Sequence, residues 1–293
     1  MEEEKRLMQC VKKGENGYPE RLSRLPGMPE QLYYYGRLPD DDKPTAAIVG
    51  ARSCSTYGRL QAFRYARFLS NAGVQVISGL ASGIDSEGHK GALNGRENTF
   101  AVMGCGPDIC YPEYNKGLYK RILESGGGIL SEYPPGTWPR SYFFPARNRI
   151  ISGLSDVVII VEAREKSGSL ITAGEALEQG KSVYAVPGPV TDELSRGCHR
   201  LIYDGAGIAY DPAVLLMEWG IFADSDGNSE QNAKISLATD YQIVYDCLDS
   251  RPKSLDYLIR KTGLPPEKLS LYLVEMSFRG LCMEVSRNYY IRL

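Results

Sequence analysis

Histidine is nearly absent: His89 and His199 are the only two in 293 residues. That excludes a His-rich metal centre. The seven cysteines include no C-x-x-C pair. An odd number of scattered thiols fits a reducing cytoplasm better than a disulfide framework. Long apolar runs are missing as well. The longest purely aliphatic run, Val157 to Val161, is five residues, against roughly 20 for a bilayer span. The opening MEEEKRLMQC has no apolar h-region, so no secretory signal is visible. Nor is there an excess of one charge. Lys+Arg number 34 and Asp+Glu 36, and residues 45–220 carry 17 of each. A broad basic surface is excluded, and only a narrow cationic site remains open.

Glycine, by contrast, is abundant: 31 residues, against roughly 7% in average usage. From Thr45 onward, short apolar runs alternate with amphipathic stretches. The runs lie at 46–49, 74–78, 99–103, 128–130, 157–161, 183–187 and 207–210. They are Val- and Ile-rich and mostly lack polar alternation, as strands buried on both faces do. The intervening stretches include Arg59–Asn71, Glu113–Glu124, Ala173–Gln179 and Pro212–Trp219. Such alternation predicts βαβ units, hence a Rossmann-like, doubly wound, mostly parallel α/β sheet. Residues 1–44 read as a short separate segment, 45–220 as the core, and the polar stretch 221–233 as a linker. Residues 234–293 hold three helical patterns and two strand-like runs, which predicts a small winged-helix-like domain.

Ligands of parallel sheets collect at the carboxyl ends of the strands, and the glycines concentrate there. Gly50 follows the first core run, and Ser78, Gly79 and Gly83 the second. Gly104 follows the third, and Gly168 the fifth. Glycine allows positive φ and close approach of backbone N–H groups to an anion. These loops therefore read as a phosphate-binding rim, with plain tight turns as the alternative. Arg52 stands where a G-x-G-x-x-G loop needs its second glycine, which argues against ordinary NAD binding. GKS at 180–182 lacks the earlier glycine of a P-loop.

Between Arg140 and Ser155 there are three arginines, no acid, and the aromatic run Tyr142, Phe143 and Phe144. Arginines grip phosphates and aromatic faces stack on unpaired bases, so Phe144, Arg147, Asn148 and Arg149 become candidate single-strand contacts. A basic helix start with core aromatics is the alternative. Arg164 and Lys166 precede Ser167, Gly168 and Ser169, which could cap a helix and offer donors to a phosphate. No G-x-S-x-G elbow occurs, and Asp85 with His89 reads as a structural i, i+4 pair.

VGARSCSTYG, VISGLASGIDSEGHKGAL, VMGCGPDICYP, LSEYPPGT, FPARNRIISGLS, VEAREKSGSLITAGEALEQGKSVYAVPG and SRGCHRLIYDGA resemble the DprA/Smf family of bacterial DNA-processing proteins. The resemblance runs from about Tyr18 to the C-terminus. It implies a homodimeric, cytoplasmic, non-enzymatic protein that binds single-stranded DNA and loads the RecA recombinase onto it in natural transformation. It implies no cofactor, metal or membrane partner. It places DNA contacts on Gly50, Arg52, Phe144, Arg147, Asn148, Arg149, Arg164 and 167–169. A second reading is a nucleotide-acting enzyme of the lysine-decarboxylase-like phosphoribohydrolase type. Gly168, Thr172 and Glu175 echo the loop of those enzymes, with Glu175 as the candidate acid/base.

Overall fold

The computed structural model describes residues 7–221, 239–249, 251–278 and 281–292. The chain divides into two compact units, the first ending at Asp224.

The first unit begins with β1 (Gln9–Lys12), α1 (Glu20–Ser23) and β2 (Gln31–Gly36). Next come β3 (Thr45–Val49), α2 (Thr56–Asn71), β4 (Gln75–Ser78), α3 (Ile84–Ala92) and β5 (Thr99–Val102). They are followed by α4 (Lys116–Glu124), β6 (Gly128–Ser131), α5 (Phe143–Gly153), β7 (Val157–Ile160) and α6 (Gly168–Glu178). The unit closes with β8 (Ser182–Ala185), α7 (Arg196–Tyr203), β9 (Gly207–Ile208) and α8 (Pro212–Glu218).

The nine strands form one sheet in the order β1-β2-β6-β5-β4-β3-β7-β8-β9. Strands β3 to β9 are parallel to their neighbours, and β1 and β2 extend the sheet antiparallel beyond β6. All seven core runs of the sequence reading are strands. Every residue of β3 to β7 is buried, because helices cover both faces. Along β3, Ala47 and Val49 pack against Leu22, Ile150, Ala173 and Cys198 of α1, α5, α6 and α7. Ala46 and Ile48 face Ala62, Tyr65, Ile84 and Leu215 of α2, α3 and α8. That two-residue alternation is the geometry of a strand buried on both sides.

Residues 1–44 do not stand apart as the separate segment that the sequence predicts. Gln9–Lys12 and Gln31–Gly36 join the sheet, and among the described residues of this segment only the four of α1 are α-helical. The physical reason is the β6 edge. Its N–H and C=O groups need partners, and Tyr33 to Gly36 supply them in register with Ser131 to Gly128. The linker expected over 221–233 falls outside the described residues except for Ile221.

The position of the site follows from the winding. From β3 the chain moves outward through β4, β5 and β6, then returns to place β7 on the other side of β3. Strand order reverses between β3 and β7, and a crevice opens at their carboxyl ends.

The second unit contains α9 (Thr239–Cys247), β10 (Lys253–Ser254), α10 (Leu255–Thr262), α11 (Pro266–Phe278), β11 (Cys282–Ser286) and β12 (Tyr289–Arg292). Its sheet has the order β10-β12-β11, all antiparallel. Val244, Leu248, Leu258, Leu269, Leu273, Met276 and Cys282 form its core. Ser254 caps α10 through Tyr257 N–H, and Gly263 ends it in the left-handed conformation. Three helices with a β-hairpin constitute a winged helix. On α11, Leu271 and Val274 are exposed.

Candidate nucleic-acid interface

A cleft of about 640 Å³ occupies the crevice between the β3 and β7 ends. One wall is the loop after β3, carrying Gly50, Arg52 and Ser53. The opposite wall is the loop after β7 with the first turn of α6, carrying Arg164, Lys166, Ser167, Gly168, Ser169 and Thr172. The first turn of α5 supplies Phe144, Arg147 and Asn148. Tyr111, from the loop after β5, lines the cleft as well.

Arg52, Arg164 and Lys166 are exposed. The Arg52 guanidinium sits 5.3 Å from the centroid of the Phe144 ring, and Tyr111 stacks on the same ring at 5.4 Å. Arg164 makes a long 3.8 Å ion pair with the exposed Glu193, an interaction that solvent weakens. Ser167 is the N-cap of α6, its hydroxyl accepting from Ser169 N–H at 3.4 Å. Asn148 Nδ2 donates to Gly168 O at 3.3 Å, tying α5 to this turn. The positive end of an eleven-residue helix thus opens into the cleft beside three cations.

The N-terminus of α2, the helix that follows β3, is closed by contrast. Glu162, at the end of β7, is buried and lies at the N-terminus of α2. Its carboxylate accepts from Ser55 N–H at 2.9 Å and from the Ser55 hydroxyl. Its backbone oxygen accepts from Ala51 N–H at 2.7 Å. A Rossmann dinucleotide would lay its pyrophosphate at this helix end, where the protein has already placed a carboxylate. Sequence reasoning passed over Glu162. The available signal was an acid immediately after a fully apolar strand.

The expected rim residues divide into two groups. Gly50, Arg52, Phe144, Arg147, Asn148, Arg164, Lys166, Ser167, Gly168 and Ser169 line the cleft, whereas Ser78, Gly79, Gly83, Gly104 and Arg149 do not. Ser78 is fully buried and donates to Ile48 O at 2.7 Å. Arg149 points off the far side of α5 and forms a two-point ion pair with Glu132, at 2.8 and 3.0 Å.

The glycines serve packing between loops. A Cβ on Gly50 would strike Ile84 and Glu162 O, and one on Gly104 would strike the Phe144 ring. Gly83, with φ of +73°, has the carbonyls of Ala51 and Arg52 against it. Gly79 leaves space for the guanidinium of Arg147.

Arg147 lies in the floor rather than on the wall, at 4% exposure. Its Nη1 donates to Gly79 O at 2.9 Å and to Val102 O, bridging the ends of β4 and β5. Asp85, also buried, accepts from Gly79 N–H at 3.1 Å. Burial pushes the Asp85 carboxyl up and the Arg147 guanidinium down, and each charge partly offsets the shift of the other. Asp85 is the one carboxylate lining the cleft among the described residues. Glu175, the acid/base that the loop pattern offered, does not line it, and the phosphoribohydrolase reading is not favoured. His89 is buried, with Nδ1 2.7 Å from Thr99 Oγ1, and its role is structural.

Residues 9–220 match the family model for DNA recombination-mediator protein A. Residues 228–286 match that for the DprA winged helix domain. DNA processing protein DprA of Streptococcus pneumoniae is 44% identical over 202 residues, covering 69% of this chain and 71% of that protein. Protein Smf of Escherichia coli is 35% identical over 277 residues, 93% of this chain and 74% of its own. The X-ray structure of the Streptococcus pneumoniae protein superposes with a TM-score of 0.67 at 40% identity, covering 74% of this chain and 76% of that one. DNA processing protein A of Helicobacter pylori, described for its single-stranded DNA binding mode, gives 0.63 at 31% identity, covering 72% and 95%.

Proposed function

This chain belongs to the DprA/Smf family of DNA recombination mediators, and from that premise we propose that it binds single-stranded DNA without sequence preference. One observation carries the reading. Arg52, Arg164 and Lys166 converge with the Phe144–Tyr111 ring pair on the open N-terminus of α6. Backbone phosphates would meet the cations and the helix end, while a base stacks on the Phe144 side. Arg147 and Asn148 would hold the walls, and Arg149 would anchor α5 from behind. The single-strand binding described for the Helicobacter pylori relative supports the same assignment.

The finer reading is that the protein works in the cytoplasm as a homodimer, without catalytic turnover. There it would load the RecA recombinase onto the bound strand during natural transformation. The cleft supports this in one respect. Phosphate contacts with few base-edge contacts hold a strand regardless of sequence, as a loader must.

The test is a mobility shift comparing single-stranded with duplex oligonucleotides across salt, repeated with recombinase present. We expect preference for the single strand, affinity falling steeply with salt, and faster recombinase filament growth. A preference for duplex would overturn the reading. Unaltered filament growth would overturn the loading step alone.

A further inference from the structure

Four aromatic side chains are exposed on the loops that follow β5 and β6: Tyr111 at 43%, Tyr114 at 70%, Trp138 at 74% and Tyr142 at 58%. We propose that they form a base-stacking track that carries a single strand out of the cleft across the carboxyl ends of β4, β5 and β6. The proposal rests on the single-strand reading of the cleft and extends it to a surface outside that site.

Continuity is the first argument. Tyr111 lines the cleft and stacks on Phe144. Pro139 and Ser141, flanking Arg140, line it as well. The two loops are held together, with Gly106 N–H donating to Thr137 O at 2.9 Å and Gly136 N–H to the Asp108 carboxylate at 3.0 Å.

Three of the rings, Tyr111, Tyr114 and Tyr142, are also braced. Tyr142 stands edge-on to Phe143 at 4.6 Å, and Phe143 packs on Tyr133 at 4.0 Å. Arg140 lies 5.9 Å from the Phe143 centroid and donates to the Tyr142 hydroxyl at 2.8 Å. Tyr114 is tethered through its hydroxyl to Ser82. Rings fixed at one edge and open on a face bind a flat partner with little loss of side-chain entropy.

Charge selects the occupant. No acid occurs from Tyr133 to Ser155, Arg140 lies among the rings, and on the loop after β5 Glu113 is paired with Lys116 while Asp108 accepts from Gly136 N–H. Three inter-strand steps separate β3 from β6, about 14 Å, which accommodates several bases stacked at about 3.4 Å each. A sequence-tolerant single strand has both features the surface offers to meet, flat unpaired faces and a negative backbone.

The chain has two tryptophans, and Trp219, the C-cap of α8, packs against Tyr184 of β8. In the full chain carrying Trp219→Phe, Trp138 is the sole indole reporter. Saturation with an oligothymidylate of about twenty nucleotides should quench its emission. Trp138→Ala with Tyr142→Ala should weaken binding of that oligonucleotide about tenfold and leave a tetranucleotide, held by the cleft alone, at wild-type affinity. Arg52→Ala, which disables the cleft, is the control. If Arg52→Ala weakens binding while the aromatic double variant does not and no quench appears, the track is overturned and the cleft reading stands. If Arg52→Ala also binds as the wild type does, the cleft reading falls and the track with it. Equal quenching by duplex DNA would likewise overturn the proposal.

Discussion

The guanidinium of Arg147 stands where a Cβ on Gly79 would have to go, its Nη2 only 2.5 Å from that position. The glycine at the end of β4 thus makes room for a buried cation, which in turn ties β4 to β5. Gly79→Ala should displace the guanidinium from its carbonyl partners and destabilise the fold by about 1–3 kcal/mol. Arg147→Ala should cost more, about 3–5 kcal/mol, since Asp85 would remain buried without its compensating charge. Urea unfolding measures both. An Arg147→Ala protein of wild-type stability that loses only DNA affinity would show that the residue contacts DNA and is no structural bridge.

Arg52 and Arg149 are expected to separate in salt titrations. Arg52 is exposed in the cleft, so Arg52→Ala should reduce affinity about tenfold and the salt slope by about 0.7. Arg149 has its charge matched by Glu132 at partly buried positions. Arg149→Ala should therefore leave the salt slope unchanged while lowering stability by about 1–2 kcal/mol. Equal slopes in the two variants would contradict the assignment.

The legible and illegible parts of this molecule differ in range. The seven parallel strands are visible as short apolar runs, most plainly β3 to β7, where burial on both faces removes polar alternation. β1 and β2 are not, because QLYYYG becomes a strand only by pairing with β6, far along the chain, and QCVK only by pairing with β2. Within the site, Arg52, Arg164 and Lys166 are recognisable as long cations beside glycines at strand ends. What escaped is the direction in which side chains leave α5. Arg147, Asn148 and Arg149 are consecutive in sequence, yet they point to the floor, the α6 turn and the Glu132 side. One hundred degrees of helix per residue distributes a compact motif over three environments.

His89 gives a pH dependence whose sign can be worked out. Burial, reinforced by the charge of Arg147, pushes its imidazole from 6.5 down to about 3. Between those values the unfolded chain binds a proton that the native state does not. Stability from this group is therefore complete above pH 6.5 and is lost as pH falls toward 3. From pH 6.5 to 5 the loss is about 2 kcal/mol. His89→Asn, with an amide left facing Thr99, should flatten that part of the profile. Unfolding free energies at pH 5 and pH 7 for both proteins check it, and parallel profiles would refute the assignment.

Gly58 sets two effects against each other. It sits in the first turn of α2, where intrinsic propensity favours alanine by about 1 kcal/mol. A Cβ there would overlap the carboxylate of Glu162, which is buried and holds the N–H and hydroxyl of Ser55. Each hydrogen bond to a charged group contributes about 1.5–3 kcal/mol, so displacing the carboxylate outweighs the helical gain. Gly58→Ala should destabilise the protein by about 1–3 kcal/mol. It should also weaken DNA binding, because Ser55 and Ala51 bound the loop that presents Arg52. Adding Glu162→Gly should recover part of the stability by clearing the overlap. If Gly58→Ala alone raises the melting temperature, helix propensity dominates and Glu162 does not clamp that loop.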